Sequence, residues 1–495
     1  MKNLFLLIAI AILFSVSAFA ADGDIDTTFN GSGSRLTDIG STSNDVIFNI
    51  GLMPDGRIVG MGSGNGQTAV IRYLPIGALD TSFSGDGIAT AFTGSGSAGA
   101  LQTDGKPVVA GTSAAGLQVV RYNTDGTLDT SFGGDGQVTT SFTGGVTARS
   151  LMIQTDGKIV VAGYLSFTSG DFRDIMLARY ETDGTLDATF GTGGTAIIDL
   201  TPNGVEIAFD AVMLSDGKII IVGQKNDTVG FADFLVARFN SNASVDTTFG
   251  TNGFTTVAVA PSNNDLADSV AIAPDGKIVV GGIYSDIAVS NAPAIVRLNS
   301  DGSPDSTFDG DGILQPTSVN RPVAILVQSD RKILTAGTNG SISGLSKYNV
   351  DGTLDTSFSL DGRIPVAGSA TSLAIQPDGK ILVSGSQTIA GGNTGFLTSR
   401  FLNTVAPTTA ASVTISGKVS TANGNAVSRA TIHLTDQNGN IRTAKTNSFG
   451  YFRLTEIEAG QTFVVNVFHR EFQFAPRVLS VNEDLYDLDF IAADY

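Results

Sequence analysis

Short runs in which apolar and polar residues alternate, or in which β-branched residues cluster, recur along the chain, each bounded by Gly and Asp. That is the pattern of half-buried strands closed by tight turns. Between 87 and 123 the runs read GIATAF (87–92), AGALQT (98–103), PVVAGT (107–112) and LQVVRYN (117–123). Four such strands joined by Asp-Gly hairpin turns predict one antiparallel sheet.

The set repeats. Asp-x-x-Phe occurs at Asp26/Phe29, Asp80/Phe83, Asp129/Phe132, Asp187/Phe190, Asp246/Phe249, Asp305/Phe308 and Asp355/Phe358, a period of about 55 residues. Asp-Gly-Lys/Arg before a β-branched run recurs at Asp55, Asp104, Asp156, Asp216, Asp275 and Asp378, with Asp-Arg-Lys at Asp330. A base followed by an aromatic residue or Leu marks Arg72, Arg121, Arg179, Arg238 and Arg297, and Lys347 and Arg400 hold the same place. Seven four-stranded sheets set radially cover each other's faces and leave only short edges, so the fold class is all-β, a seven-bladed β-propeller over 21–403.

The base precedes its Asp by eight residues in six units of six, whereas the other intervals vary. With the strands named A to D in chain order, the rigid element is read as the blade-to-blade linker. It shares a face with the B–C turn, and the variable A–B and C–D loops share the other. Variable loops on a rigid frame are where binding residues collect. Arg400 has no Asp eight residues on, and Asp26 has no base before it. The segment 22–33 is therefore expected to dock beside Arg400 and Phe401 and close the ring.

The unit QTDGKIVVAG…MLARYETDGTLDATFG (154–191) resembles the delta-60 repeat of bacterial surface and secreted proteins, a β-propeller family. The likeness spans about 22–403. Departures are Asn242 for Gly in the fifth unit and Arg331 for Gly in the sixth. What the resemblance implies is architecture and an extracellular address, and it brings no catalytic residues.

Beyond a linker at 404–411, the alternating runs of 412–495 suggest a small seven-stranded β-sandwich. The pattern ISGKV, TNSFGYFRL and FQFAP is similar to the carboxypeptidase regulatory-like, transthyretin-like fold of many exported proteins. That likeness implies an accessory or adhesion module.

Composition narrows the chemistry. The 495 residues include no Cys and only two His, His433 and His469, so thiol chemistry is excluded and the first four hundred residues hold no Ser-His pair. Of the 47 acids only six are Glu, and an excess of Asp belongs to turns. The stretch 21–403 carries 38 acids against 21 bases, which argues against nucleic acid as a partner. Residues 1–20 run from Lys2 through an apolar stretch to Ala18-Phe19-Ala20, the form of a secretory signal peptide. No later run is long enough to span a membrane as a helix, so export to the periplasm, the cell surface or the medium is expected.

Aromatic and charged residues in the longer C–D loops are the candidate ligand contacts: Tyr164, Phe167, Asp171, Phe172 and Arg173; Lys225, Asp227 and Phe231; Tyr284 and Asp286. Calcium is the one cofactor the acid-rich turns suit, with Asp125, Asp129 and Asp135 as its ligands, although recurrence in every unit favours a structural role. Each repeated base is read as bridging its Asp. The expected function is a non-enzymatic binding or adhesion scaffold, secreted or at the cell surface, with an extracellular glycan or protein on the A–B/C–D face. The alternatives are a polysaccharide-acting enzyme using the carboxylates Asp199, Glu206 and Asp210, which pairing of acids permits, and a calcium-stiffened structural surface protein.

Overall fold

The computed structural model describes residues 21–492 except 40–43, 168–171, 203, 227–230, 261–263, 286–290, 317–320, 340–341, 360, 404–411, 422, 436–440, 459–460, 475, 482–484 and 486–487. The expected signal segment 1–20 and the expected linker 404–411 lie outside the described residues, as do Asp171, Asp227 and Asp286. Strands are the only long regular elements among those described. The chain divides into two compact units, 1–404 and 405–495.

The first unit is the propeller. Blade 1 runs outward through Val46–Leu52, Ile58–Gly64, Gln67–Tyr73 and Ile88–Thr93. Blades 2 to 6 repeat this meander, their inner strands being Ser95–Leu101, Gly145–Ile153, Val205–Met213, Asp265–Ile272 and Ala324–Val327. Blade 7 is built from Ser369–Ile375, Ile381–Thr388 and Thr394–Phe401, with Ser34–Thr37 from the other end of the chain as its outer strand. Each inner strand packs against the inner strands of both neighbouring blades, that of blade 7 against that of blade 1 included, so the ring is closed.

The closure follows the expectation from the repeat. Ile25 bridges Phe401, the Asp26 amide donates to the Arg400 carbonyl at 2.8 Å, and Ser34 lies opposite Ser399.

Two details differ from the sequence reading. The run GIATAF pairs with Gln67–Tyr73 and so belongs to blade 1, not to the sheet of the strands that follow it. Every group shifts in this way by one strand. The rigid eight-residue element is therefore the hairpin between the third and outer strands of one blade, and the crossover between blades is the variable stretch that follows. The assignment of loops to faces is unaffected, since strand direction still alternates. In the fifth unit the left-handed turn position falls on Ala243, at φ 69°, and not on Asn242, whose carboxamide accepts from the Ser244 amide as Asp125 does from Thr127. Arg331 holds the same backbone conformation at φ 66°. Each costs about 1 kcal/mol relative to Gly.

Between blades the core is apolar. The second-blade residues Val108, Ala110, Leu117 and Phe132 pack on Val146, Ile159 and Tyr180 of the third, all buried. Tyr180 is anchored by a 2.7 Å hydrogen bond to Thr140, and burial pushes its phenol up to about 12.

The second unit has two sheets, one of Tyr451–Glu458, Ser412–Ser420 and Phe490–Ile491, the other of Ile441–Lys445, Thr431–Thr435, Gln461–Phe468 and Arg477–Val481. Ile415, Val419, Ile432, Leu434, Phe452 and Val465 form its core. These are the seven strands expected of the sandwich.

Candidate functional site

The repeated polar residues are consumed by the frame. Arg121 Nε donates to Asp129 Oδ2 at 2.7 Å, Nη2 to Ser131 Oγ at 3.1 Å, and Nη1 to the Thr182 carbonyl of the next blade at 2.6 Å. Its guanidinium stacks over Phe132 with 4.7 Å to the ring centre. Lys106 of the Asp-Gly-Lys turn reaches the same Asp129 oxygen at 2.9 Å. The other oxygen accepts from the Ser131 amide and hydroxyl. Burial works against ionisation of Asp129, but the hydrogen bonds from Ser131 and Lys106 and the charge of Arg121 outweigh it and hold the carboxyl far below its usual range.

The same cluster recurs in the other blades, with Arg–Asp distances of 2.6 to 2.8 Å at Arg72–Asp80, Arg179–Asp187, Arg238–Asp246, Arg297–Asp305 and Arg400–Asp26. Blade 6 is the exception. Lys347 is 3.8 Å from Asp355 and instead donates to Asn403 Oδ1 at 2.8 Å and to Asp22 at 3.2 Å, where the two ends of the propeller chain meet.

The calcium candidates lie within this frame. Asp125 accepts from the amide and hydroxyl of Thr127, Asp129 is filled as above, and Asp135 accepts from the Gln137 amide. The three are turn and bridge residues.

The ligand candidates of the loops separate in the structure. Phe167 packs on the core between blades 2 and 3, and Tyr284 on that between blades 4 and 5. Phe172 is half-buried, and its carbonyl accepts from the Phe167 amide at 3.3 Å. Arg173 lies half-buried at the edge of its strand opposite Val205 of the next blade. Lys225 is buried across from Glu206 and 5.6 Å from the Phe254 ring centre. Phe231 is exposed. Of the acids, Asp199 and Glu206 come together with Asp174, their oxygens within 4.8 Å of one another. Asp210 stands apart, hydrogen-bonded to Ser150, Ala211 and Val270. Burial, reinforced by Asp199, raises Asp174 above its ordinary value.

Sequence reasoning missed the axial channel. The innermost strand breaks register by one residue at Phe48, Ser97, Arg149, Phe209, Asp268 and Thr371 in blades 1, 2, 3, 4, 5 and 7. In blade 6 pairing begins only at Ala324, with Val323 before it. A β-bulge turns the extra side chain out of the alternation. All seven positions line or border one cavity of about 630 Å³ on the axis. The cavity is lined by the middle and N-terminal parts of the inner strands, whose N-terminal ends are fed by the variable crossovers.

A signal for the bulge was in the sequence. The second strand of each blade carries a Gly after its apolar run, and a Cβ on Gly163, Gly223, Gly282, Gly337 or Gly385 would collide with the carbonyl oxygen of Thr147, Ile207, Leu266, Arg321 or Ser369. Only Gly lets the bulged backbone lie that close.

The channel's charged groups are distinct in kind. Arg321 holds Asp268 by two hydrogen bonds, from Nε at 2.6 Å and from Nη2. Asp210 Oδ1 accepts from Ser150 at 3.0 Å and from the Ala211 amide at 2.8 Å, Oδ2 from the Val270 amide at 3.1 Å, yet burial pushes its carboxyl up to about 6. Arg149 lies 5.7 Å from the Tyr164 ring centre and 5.5 Å from that of Phe209.

Segments 54–83, 102–132, 154–190, 214–249, 273–308, 328–358 and 376–403 match the family model described as "Domain of unknown function (DUF5122) beta-propeller". Residues 414–490 match the carboxypeptidase regulatory-like domain. No curated protein matches the chain. Among solved structures, virginiamycin B lyase from Staphylococcus aureus is similar at 12% identity and a TM-score of 0.44, covering 74% of this chain and 98% of its own. The polysaccharide lyase Uly1 is similar at 11% identity and a TM-score of 0.44, with 72% of this chain and 89% of that one covered. PorZ, a surface component of the type-IX secretion system of Porphyromonas gingivalis, is similar at 12% identity and a TM-score of 0.36, over 93% of this chain and 60% of that one. With seven repeat segments matched in order and the terminal domain matched after them, the chain belongs to the DUF5122 beta-propeller family and carries a C-terminal carboxypeptidase regulatory-like domain.

Proposed function

We propose that the protein is an exported, non-enzymatic binding scaffold whose ligand enters the mouth of the axial channel on the variable-loop face. One observation carries this reading. The seven blades repeat their frame residues nearly unchanged, but at the bulge position they present Phe48, Ser97, Arg149, Phe209, Asp268, Val323 and Thr371. Seven copies that agree on the frame and differ on the channel wall fit a recognition surface better than a spacer. Charged groups on that wall are mostly satisfied within the protein, Asp268 by Arg321 and Asp210 by three donors, which favours holding a ligand over turning one over. The signal-like segment at 1–20 supports an extracellular glycan or protein as the partner.

The test is binding of the purified protein to a glycan panel and to whole cells, repeated with Phe48→Ala and Phe209→Ala. A saturable partner weakened by both changes, with melting temperature retained, supports the reading. Binding that ignores the channel, or turnover of a bound polymer, sinks it.

A further inference from the structure

Two arginines face the axial channel, and they are not equivalent. Arg321 is neutralised by Asp268. Arg149 sits at the bulge of Gly145–Ile153, is exposed to the channel, and has no carboxylate in ion-pair range among the described residues. Its guanidinium is bordered by Tyr164 and Phe209. One of its N–H groups donates to the Tyr164 phenol oxygen, which fixes the guanidinium in place, and of its five N–H donors the rest can meet a carboxylate in two parallel bonds.

The rest of the wall specifies what carries the carboxylate. Ser97 donates its hydroxyl proton to the Ala148 carbonyl and Thr371 donates its own to the Ile47 carbonyl. Both oxygens remain acceptors for hydroxyl donors of a ligand. Phe48 and Phe209 are half-buried in the same cavity and offer apolar ring area. A ring bearing several hydroxyls and one carboxylate satisfies all three features. A cavity of about 630 Å³ is of the size that takes a small ligand.

We infer that the channel mouth takes a carboxylated sugar, a uronic acid unit of a glycan, with Arg149 as its carboxylate clamp. The inference rests on the binding-scaffold reading above and names the ligand class of that same site. The acidic excess of the propeller does not oppose it at physiological salt, because charges more than about 8 Å away are largely screened. The choice is made by the groups inside the channel.

The experiment is calorimetric titration of the purified protein with oligogalacturonate and with oligoglucuronate, each as free acid and as methyl ester, alongside an acidic peptide. The free acid of at least one oligomer is expected to bind about tenfold or more tightly than its ester, the usual weight of a charge-assisted pair. Arg149→Gln is expected to erase that difference at unchanged melting temperature. The ester comparison leaves the protein untouched, so it does not depend on the variant folding.

Equal affinity for acid and ester overturns the inference, as does an acid preference that survives in Arg149→Gln. No binding of either uronate, with a neutral glycan or the acidic peptide captured at the channel, overturns the ligand class and leaves the scaffold reading standing. The scaffold reading fails separately, if no ligand of the wider panel responds to Phe48→Ala and Phe209→Ala.

Discussion

Arg400 and Asp26 are 374 residues apart in the chain and 2.8 Å apart in the fold. The pair is one of six such Arg–Asp bridges, the other five between residues eight apart, and it joins the two ends of the propeller. Asp26 also lies 3.4 Å from Lys380. Asp26→Ala leaves two cations facing a buried gap, and the expected loss is about 3 kcal/mol or more. Chemical denaturation of the variant checks it, and a loss under about 1 kcal/mol would show that the outer strand Ser34–Thr37 closes the ring without the bridge.

Acid is expected to open the same joints. Asp26, Asp80, Asp129, Asp187, Asp246, Asp305 and Asp355 all have carboxyls held below the ordinary value of 3.8, because hydrogen bonds and neighbouring cations outweigh burial. A lowered folded value gives stability that is present above the unfolded value and lost as pH falls through the folded one. The denaturation midpoint should therefore drop steeply below about pH 4.

Asp210 and Asp265 act in the opposite sense, since burial pushes both up to about 6. The folded state binds their protons more tightly than the unfolded state, so stability falls as pH rises from about 4 to about 6. Asp210→Asn is expected to flatten that slope without moving the acid limb. Stability curves at half-unit pH steps read both effects, and an unchanged slope would mean that Asp210 ionises freely.

The bulge glycines offer a packing test with an internal control. Gly163→Ala sets a methyl group against the Thr147 carbonyl, a collision that only backbone movement relieves. The expected cost is about 2 kcal/mol or more. Gly145→Ala, on the same pair of strands, meets only the Ser166 carbonyl at 3.9 Å and should be nearly neutral. Thermal melts of the two variants side by side decide it, and equal effects would contradict the bulge geometry.

The two compact units each have their own core, Ile415, Ile432 and Phe452 in the terminal one and the inter-blade clusters in the propeller. Calorimetry should resolve two transitions, and the fragment 21–404 should keep the propeller's melting temperature within about 2 °C. A single cooperative transition would show coupling between the units.

Much of this fold was legible because the frame is written seven times. One Arg–Asp spacing is weak evidence, but Arg72, Arg121, Arg179, Arg238 and Arg297 at a constant distance from an Asp leave one geometry, and the unpaired Asp26 and Arg400 then locate the closure. The phase of the blades was not legible, because a cyclic repeat has no marked beginning. Nothing local to GIATAF says whether it pairs backward with Gln67–Tyr73 or forward. The channel ring was hidden for a different reason. A bulge displaces one side chain from the alternation, so Arg149 and Asp268 look like ordinary strand residues unless the Gly opposite them is taken as the mark of a close backbone approach. Loop polarity was a poor guide to exposure: Phe167 and Tyr284 fold onto blade cores, and only Phe231 of the loop aromatics named is exposed.

The bulge has a consequence for how the channel wall can change. The seven side chains of the bulge ring come from residues outside the strand alternation, so replacing one leaves the apolar inter-blade clusters and the Arg–Asp bridges in place. The propeller thus offers seven addresses around one axis that can be rewritten one at a time, and a new specificity needs a few substitutions at fixed points rather than a new fold.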